Sequence, residues 1–143
     1  MEERVYGLLG RKLGHSWSVP IHAALGNGAY RLLELEPEEL APFLRRNDIG
    51  GLNVTIPYKR DVMPLCDAID PAAEAIGSVN TLVRRTDGRL VGYNTDIDGF
   101  RYMARRAGIS LTGRCPPGGP YRGSRRCPYY SPPACRLRAG RWC

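Results

Sequence analysis

The sequence predicts an α/β layer fold for most of the chain. Short apolar runs typical of strands alternate with amphipathic runs typical of helices from residue 5 to about residue 107. A chain of 143 residues suits one domain with a serviceable core, and it is too short for a two-domain enzyme. Beyond residue 113 the alternation stops, because Pro, Gly, Arg and Cys dominate the remaining residues. The fold is therefore expected within residues 1–113.

The first half of this region is predicted to hold three strands and two helices. Strands are expected at residues 5–9, 30–35 and 51–54. A helix over residues 18–25 follows a Gly/His/Ser turn, with the Ser18 hydroxyl as its N-cap. A second helix over residues 38–46 has acidic residues early, which suits the helix dipole, and apolar side chains on one face.

The second half continues the alternation with more local signals. Pro57 is expected to start a helical turn, and Pro71 to occupy the first turn of a helix ending at Ile76. Strands at residues 78–84 and 89–93 flank an Asp-Gly pair typical of a tight hairpin. A last helix is predicted over residues 96–107, with Gly108 at its C-cap.

Charge and cysteine are concentrated at the end of the chain. Six of the 21 Lys and Arg residues, and none of the 14 acidic residues, lie in residues 115–143, which therefore carry nearly all of the net charge of +7. Four of the five cysteines lie there too, whereas a secreted disulfide scaffold spreads its cysteines through the core. The sequence contains no signal peptide pattern and no apolar run that could span a bilayer, which predicts a cytoplasmic protein without a membrane partner.

Polar side chains recur at the ends of the predicted strands. They occur in Asn53-Val54-Thr55-Ile56-Pro57-Tyr58-Lys59, in Ser78-Val79-Asn80-Thr81-Leu82 and in Asn94-Thr95-Asp96. Such residues after strands often only close turns. A lysine, an aspartate and several small hydrogen-bonding side chains that converge are instead typical of an enzyme pocket for a small polyhydroxylated ligand.

These segments, together with Gly14-His15-Ser16-Trp17-Ser18 and the run from Gly92 to Phe100, resemble the amino-terminal, substrate-binding domain of shikimate dehydrogenases. The resemblance covers about residues 4–113, in family order and at family-like separations. Three positions depart from the family pattern: Val19 replaces a proline, Pro20 places that proline one residue later, and Ile97 stands where Gly or an aromatic residue is common. None of these removes a polar ligand.

The resemblance implies a mixed-sheet, three-layer domain and a role for each polar residue. Ser16 and Ser18 would bind the substrate carboxylate, while Thr55, Asn80 and Asp96 would bind ring hydroxyls with help from Asn53. Lys59 would be the catalytic acid/base, paired with Asp96 at the hydroxyl that becomes the ketone. The implied reaction is the NADP-dependent, reversible reduction of 3-dehydroshikimate to shikimate, on the route to chorismate and the aromatic amino acids. A quinate/shikimate dehydrogenase and a catalytically silent shikimate-binding fragment remain alternatives.

The family resemblance also implies a Rossmann domain that binds NADP after residue 113, yet residues 114–143 form an Arg/Pro/Cys-rich tail. Proline removes backbone donors and breaks helices, so we expect this tail to be disordered and to hold no cofactor-binding residue. A one-base frameshift near Gly113 is our hypothesis for its origin, because one rereading of residues 118–123 gives a glycine-rich turn. An intact reading frame in the sequenced locus, with no alternative frame encoding a strand and glycine turn, would contradict it.

Other readings of single features carry less weight. The tail arginines lie among Tyr121, Tyr129, Tyr130 and Trp142 and could contact nucleic acid, but this partner is not favoured. The tail cysteines lack a Cys-x-x-Cys pair for zinc, and His15 and His22 read as turn or packing residues, so no metal ligand is assigned. Cys66 reads as a small buried residue and Asp87 as turn chemistry. Nothing in the sequence specifies an oligomeric state.

Deleting residues 115–143 should leave the free energy of unfolding unchanged or slightly higher, because a tail without a core adds few buried contacts. Urea unfolding of the full and shortened chains, followed by circular dichroism, measures this difference. A loss of several kcal/mol on deletion would show that the tail packs on the domain.

Overall fold

The structure, a computed structural model, describes residues 4–109. The described residues form six strands and four α-helices. The strands are β1 (Val5–Gly10), β2 (Tyr30–Glu34), β3 (Ile49–Val54), β4 (Ala68–Ile69), β5 (Thr81–Arg84) and β6 (Leu90–Tyr93). The helices are α1 (Ser18–Ala24), α2 (Pro37–Leu44), α3 (Pro71–Ile76) and α4 (Asp96–Arg106). One compact unit ends at Thr95 and a second begins at Asp96.

The six strands form one mixed sheet in the order β2-β1-β3-β5-β6-β4. Strand β1 pairs in parallel with both β2 and β3, whereas β5 runs antiparallel to β3 and to β6. The short edge strand β4 is parallel to β6. The α/β layer fold and the mixed sheet predicted above are confirmed.

One face of the sheet carries the hydrophobic core. Leu9, Leu52 and Leu82 lie on this face in β1, β3 and β5 and are almost completely buried. Helices α2 and α3 cover them with Leu40, Leu44 and Ala73, and the segment after β3 adds Tyr58 and Val62. Because side chains alternate along a strand, the neighbouring residues Leu8, Asn53 and Thr81 point to the opposite face.

The opposite face of the sheet meets α1. Tyr30, paired with Tyr6 at the start of β2, stacks on His22 of α1 with ring centroids 3.6 Å apart and planes 2° from parallel. Helices therefore lie on both faces of the sheet within the first unit, which gives the three layers that the resemblance implies. The packing role expected for His22 is also what the structure shows.

The predicted element order holds, with two local corrections. Helix α1 begins at Ser18, but Trp17 is its N-cap and no side chain caps it, so the cap predicted for Ser18 is wrong. The Ser18 amide instead donates to Oγ of Ser16. Residues 56–62 after β3 form turns, as expected for the helical turn predicted at Pro57, and they lead into a 3₁₀ turn, Met63–Leu65. Strand β4 was not predicted.

The turn signals were read correctly. Gly88 (φ +84°) closes the β5–β6 hairpin, where its amide donates to the carbonyl of Arg85, and Oδ1 of Asp87 accepts from the amide of Arg89. In the second unit, Gly108 (φ +68°) follows α4 and donates to the carbonyl of Arg105. Both glycines have a left-handed backbone, which a side chain would strain. The tail predictions on residues 114–143, including disorder, zinc and nucleic acid, lie outside the described residues.

Cys66 is half-buried against the hydrophobic core, and its thiol donates to the carbonyl of Val62. Burial, helped by Asp67, raises the pKa of this thiol to about 11. In the unfolded chain the thiol has its ordinary pKa, so at pH near 8 the folded chain should react with iodoacetamide about 100-fold more slowly at Cys66. Mass spectrometry of the Cys66 peptide from native and urea-unfolded chain gives both rates. Equal rates would contradict the burial.

Candidate functional site

The two predicted carboxylate-binding serines are Ser16, in the loop of residues 11–17 between β1 and α1 (the serine loop), and Ser18, the first residue of α1. This loop is held by a side chain at the end of β2. Oε1 of Glu34 accepts the Leu13 amide at 2.5 Å, and the carbonyl of Leu13 accepts the Ser16 amide at 3.0 Å. Ser16 Oγ then donates to Oγ of Ser18 at 3.0 Å while accepting the Ser18 amide at 3.2 Å. The two hydroxyls are therefore adjacent and oriented by the backbone.

This loop borders an open cleft of about 1140 Å³. Ser16 and Thr55 both line it, together with the cations Arg11 and Lys12 and the anion Glu36. Arg11 Nε donates to Oε2 of Glu36 at 2.8 Å, and this hydrogen bond and the charge of Glu36 raise the pKa of Arg11. Glu36 thus balances Arg11, and Lys12 adds positive charge at a cleft that also offers two hydroxyl groups. Such a lining suits a small anion that carries hydroxyls.

The segment after β3 and the segment before β5 lie side by side. The Val54 amide donates to the carbonyl of Asn80 at 2.7 Å, and the Val79 amide donates to the carbonyl of Lys59 at 2.8 Å. The Thr55 amide donates to the carbonyl of Leu9, which joins this region to β1. The structure therefore brings the predicted site residues Thr55, Lys59 and Asn80 into one neighbourhood at the end of β3. Lys59 is half-buried there.

The side-chain amide of Asn80 is largely engaged by other protein groups. Asn80 is 8% exposed, and its Nδ2 donates to Oγ1 of Thr95 at 3.0 Å. Its Oδ1 accepts from the Thr95 amide and from Oγ1 of Thr81, both at 2.9 Å. One N–H of this amide is left for a ligand, because an NH₂ group has two donors. Thr95, which was not among the predicted site residues, holds Asn80 in place.

A second residue that the sequence did not reveal is Tyr30. Its hydroxyl donates to Oδ1 of Asn53 at 2.8 Å, and its side chain is 5% exposed. Burial raises the pKa of Tyr30 to about 12. An aromatic residue at the start of a strand reads as core, so no sequence signal connected Tyr30 to a residue 23 positions away.

Asp96 is the first residue of α4 and belongs to the second unit, where Asp98 is the other acidic residue of the first turn. Acidic side chains there suit the positive end of the helix dipole. Within residues 4–109, no group of three or more His, Cys, Asp or Glu side chains is arranged to hold a metal ion. No helix in the same residues is long and apolar enough to cross a membrane.

A sequence model described as the shikimate dehydrogenase substrate binding domain matches residues 8–82. The chain belongs to this family. The matched range includes the predicted site residues Ser16, Ser18, Asn53, Thr55, Lys59 and Asn80 and ends before Asp96.

Curated relatives with the name shikimate dehydrogenase (NADP(+)) match the same part of the chain. The relative from Oleidesulfovibrio alaskensis is 47% identical over 115 residues, which cover 75% of this chain and 41% of the relative. The relative from Clostridium beijerinckii is 48% identical over 103 residues, or 66% of this chain and 38% of the relative. The chain thus spans about two fifths of the length of the curated relatives it matches.

Solved structures of shikimate dehydrogenases also match this chain. The shikimate 5-dehydrogenase of Thermus thermophilus, in complex with NADP(H) and shikimate, matches with a TM-score of 0.65 and 35% identity over 76% of this chain and 44% of that one. The enzyme of Listeria monocytogenes, in complex with shikimate and NAD, matches with a TM-score of 0.67 and 33% identity over 78% of this chain and 41% of that one.

The described residues do not fit a dinucleotide cofactor. A Rossmann site needs a glycine-rich turn between a strand and a helix, so that the helix N-terminus meets the pyrophosphate. The residues directly before the four described helices are Trp17, Glu36, Asp70 and Thr95, and none of these helices follows a glycine-rich turn. Residues 4–109 therefore correspond to the substrate side of the relatives only.

Proposed function

We propose that this chain is the substrate-binding part of an NADP-dependent shikimate dehydrogenase and that it binds shikimate and 3-dehydroshikimate. The observation that carries the proposal is the meeting of three segments at the end of β3. The turn with Thr55 and Lys59 and the Asn80 segment are joined by the backbone hydrogen bonds described above, and the serine loop lines the same cleft as Thr55. Family membership and the shikimate-bound relatives support the same ligand.

The lining of the cleft matches the chemistry of this ligand. Shikimate carries a carboxylate and ring hydroxyls, and the cleft offers Lys12 and the hydroxyls of Ser16 and Thr55. Hydroxyls and amides that must be satisfied reject analogues that lack a partner group. Asp96 and Lys59 are proposed to act at the hydroxyl that becomes the ketone, with Lys59 as the acid/base. NADP is the proposed cofactor of the whole enzyme. The cytoplasmic location of the protein stays a prediction.

Thr55→Val should weaken shikimate binding by about tenfold, because the substitution keeps the shape of the side chain and removes one hydrogen bond to a ring hydroxyl. Isothermal titration of the full chain with shikimate measures the dissociation constant. Thr86→Val, at an exposed position in the β5–β6 hairpin, is the matched control and should bind like the wild type.

Absence of shikimate binding by a folded wild-type chain would contradict the proposed function. Titration with quinate under the same conditions separates the two related activities. Quinate binding as tight as shikimate binding would favour a quinate/shikimate dehydrogenase.

A further inference from the structure

The residues of β3 and β2 join the predicted site to a buried aromatic pair behind it. Asn53 precedes Thr55 by two residues, and its register partner in β1 is Leu8, which lines the cleft. Because side chains alternate along a strand and paired residues share a face, Asn53 lies on the same face of the sheet as Leu8. A ligand that reaches Asn53 from this face therefore meets its amide in the orientation that the neighbouring side chains set.

That orientation is set by Tyr30. The Tyr30 hydroxyl donates to Oδ1 of Asn53 at 2.8 Å, and within residues 4–109 Nδ2 of Asn53 donates no hydrogen bond to a protein group. A carbonyl oxygen engaged in this way leaves the NH₂ group as the part of the amide that meets a ligand. The high pKa of Tyr30 keeps its hydroxyl protonated, and so a donor, throughout the neutral pH range.

Tyr30 is itself held in place. Its ring is 5% exposed and stacks on the ring of His22 from α1 at 3.6 Å. A stacked ring with a buried edge has little freedom to swing its hydroxyl away from β3. Helix α1, which follows the serine loop directly, therefore supports the position of Asn53 through two side chains.

The geometry points to Tyr30 as a positioning residue that holds Asn53 with its NH₂ group presented as a hydrogen-bond donor to a ring hydroxyl of the substrate. This inference rests on the proposed function. It assigns Asn53 a donor role, in which the amide rejects a ligand that offers only another donor at that point. Tyr30 acts through Asn53 and does not touch the substrate.

A double-mutant cycle on the full chain tests this role, with shikimate affinity measured by isothermal titration. Tyr30→Phe keeps the ring stacked on His22 and removes the hydroxyl, and it should weaken binding about five- to tenfold. Asn53→Ala should weaken binding by a similar or larger factor. In the Asn53→Ala background, Tyr30→Phe should have no further effect, because the two residues act as a unit.

The matched control is Tyr6→Phe. Tyr6 is the register partner of Tyr30 on the same face of the sheet, and its hydroxyl has no hydrogen-bond partner within residues 4–109. This variant should bind shikimate like the wild type. Circular dichroism and urea unfolding of each variant show that the fold is retained, which separates loss of the amide orientation from loss of structure.

The possible outcomes separate this inference from the proposed function. No shikimate binding by the folded wild-type chain would overturn both. Normal binding by Tyr30→Phe, or additive effects of the two substitutions, would overturn the positioning role alone and leave the proposed function intact. Coupled losses, with Tyr6→Phe unchanged, support the role of Tyr30.

Discussion

Leu52→Ala should lower the free energy of unfolding by about 2–5 kcal/mol, the range for removing a buried leucine side chain from a packed core. Leu52 is 2% exposed in the central strand β3, in register with Gly7 of β1 and Leu82 of β5. The sheet backbone on either side cannot collapse into the space, so we expect a cavity. Since whole domains are stable by only about 5–15 kcal/mol, this change removes a large share of the total.

Urea unfolding followed by far-ultraviolet circular dichroism measures this effect. Leu25→Ala is the matched control, because Leu25 is 77% exposed after the end of α1 and the same atoms are removed. The control should change the free energy of unfolding by less than about 0.5 kcal/mol. Similar losses from both substitutions would show that the core is not where the structure places it.

The fold was predictable from the sequence wherever the signal was local. Helix α3 occupies the predicted residues because Pro71 fits the first helical turn and Oδ1 of Asp70 caps it by accepting from the Ala72 amide. The β5–β6 hairpin follows from Asp87 and Gly88. These features depend on residues within a few positions of one another, so a single sequence is enough to locate them.

Strand β4 shows why other parts were missed. It has two residues, and its existence depends on pairing with β6, which lies more than 20 residues later. Oδ2 of Asp67 accepts the Leu90 amide at 2.7 Å and fixes the two segments together. A contact of this kind leaves no periodic pattern in either segment.

The candidate site likewise has features that the sequence predicted and contacts between distant segments that it did not. The proximity of Thr55, Lys59 and Asn80 follows from β3 and β5 being neighbours in the sheet. The sequence predicted that polar side chains at the strand ends converge, without predicting this strand order. Two contacts from β2 could not be predicted from the sequence: the Tyr30 hydroxyl donates to Asn53, and Glu34 accepts the Leu13 amide of the serine loop. The roles of the site residues stay predictions until the substitutions are made.

Lys59→Ala should lower kcat by about 10²- to 10⁴-fold, the usual contribution of a positioned acid/base, with a much smaller change in KM. The assay requires turnover, so residues 1–113 are fused in frame to the part of a relative that follows its equivalent of residue 113. The absorbance of NADPH formed from NADP is then followed with shikimate as substrate. The chain without this addition should show no turnover, because its described residues do not fit the cofactor. Turnover by the unfused chain would contradict this division of the enzyme.

The nature of the Lys59 contribution is separated by two further variants of the fusion. Lys59→Arg keeps a positive charge but cannot release its proton in a protein, so its kcat should remain low if Lys59 relays the proton of the substrate hydroxyl. Arg60→Ala removes the adjacent, exposed cation and should leave both constants close to those of the unmodified fusion. Recovery of turnover by Lys59→Arg would mean that Lys59 acts through its charge alone, and normal turnover by Lys59→Ala would remove it from the reaction.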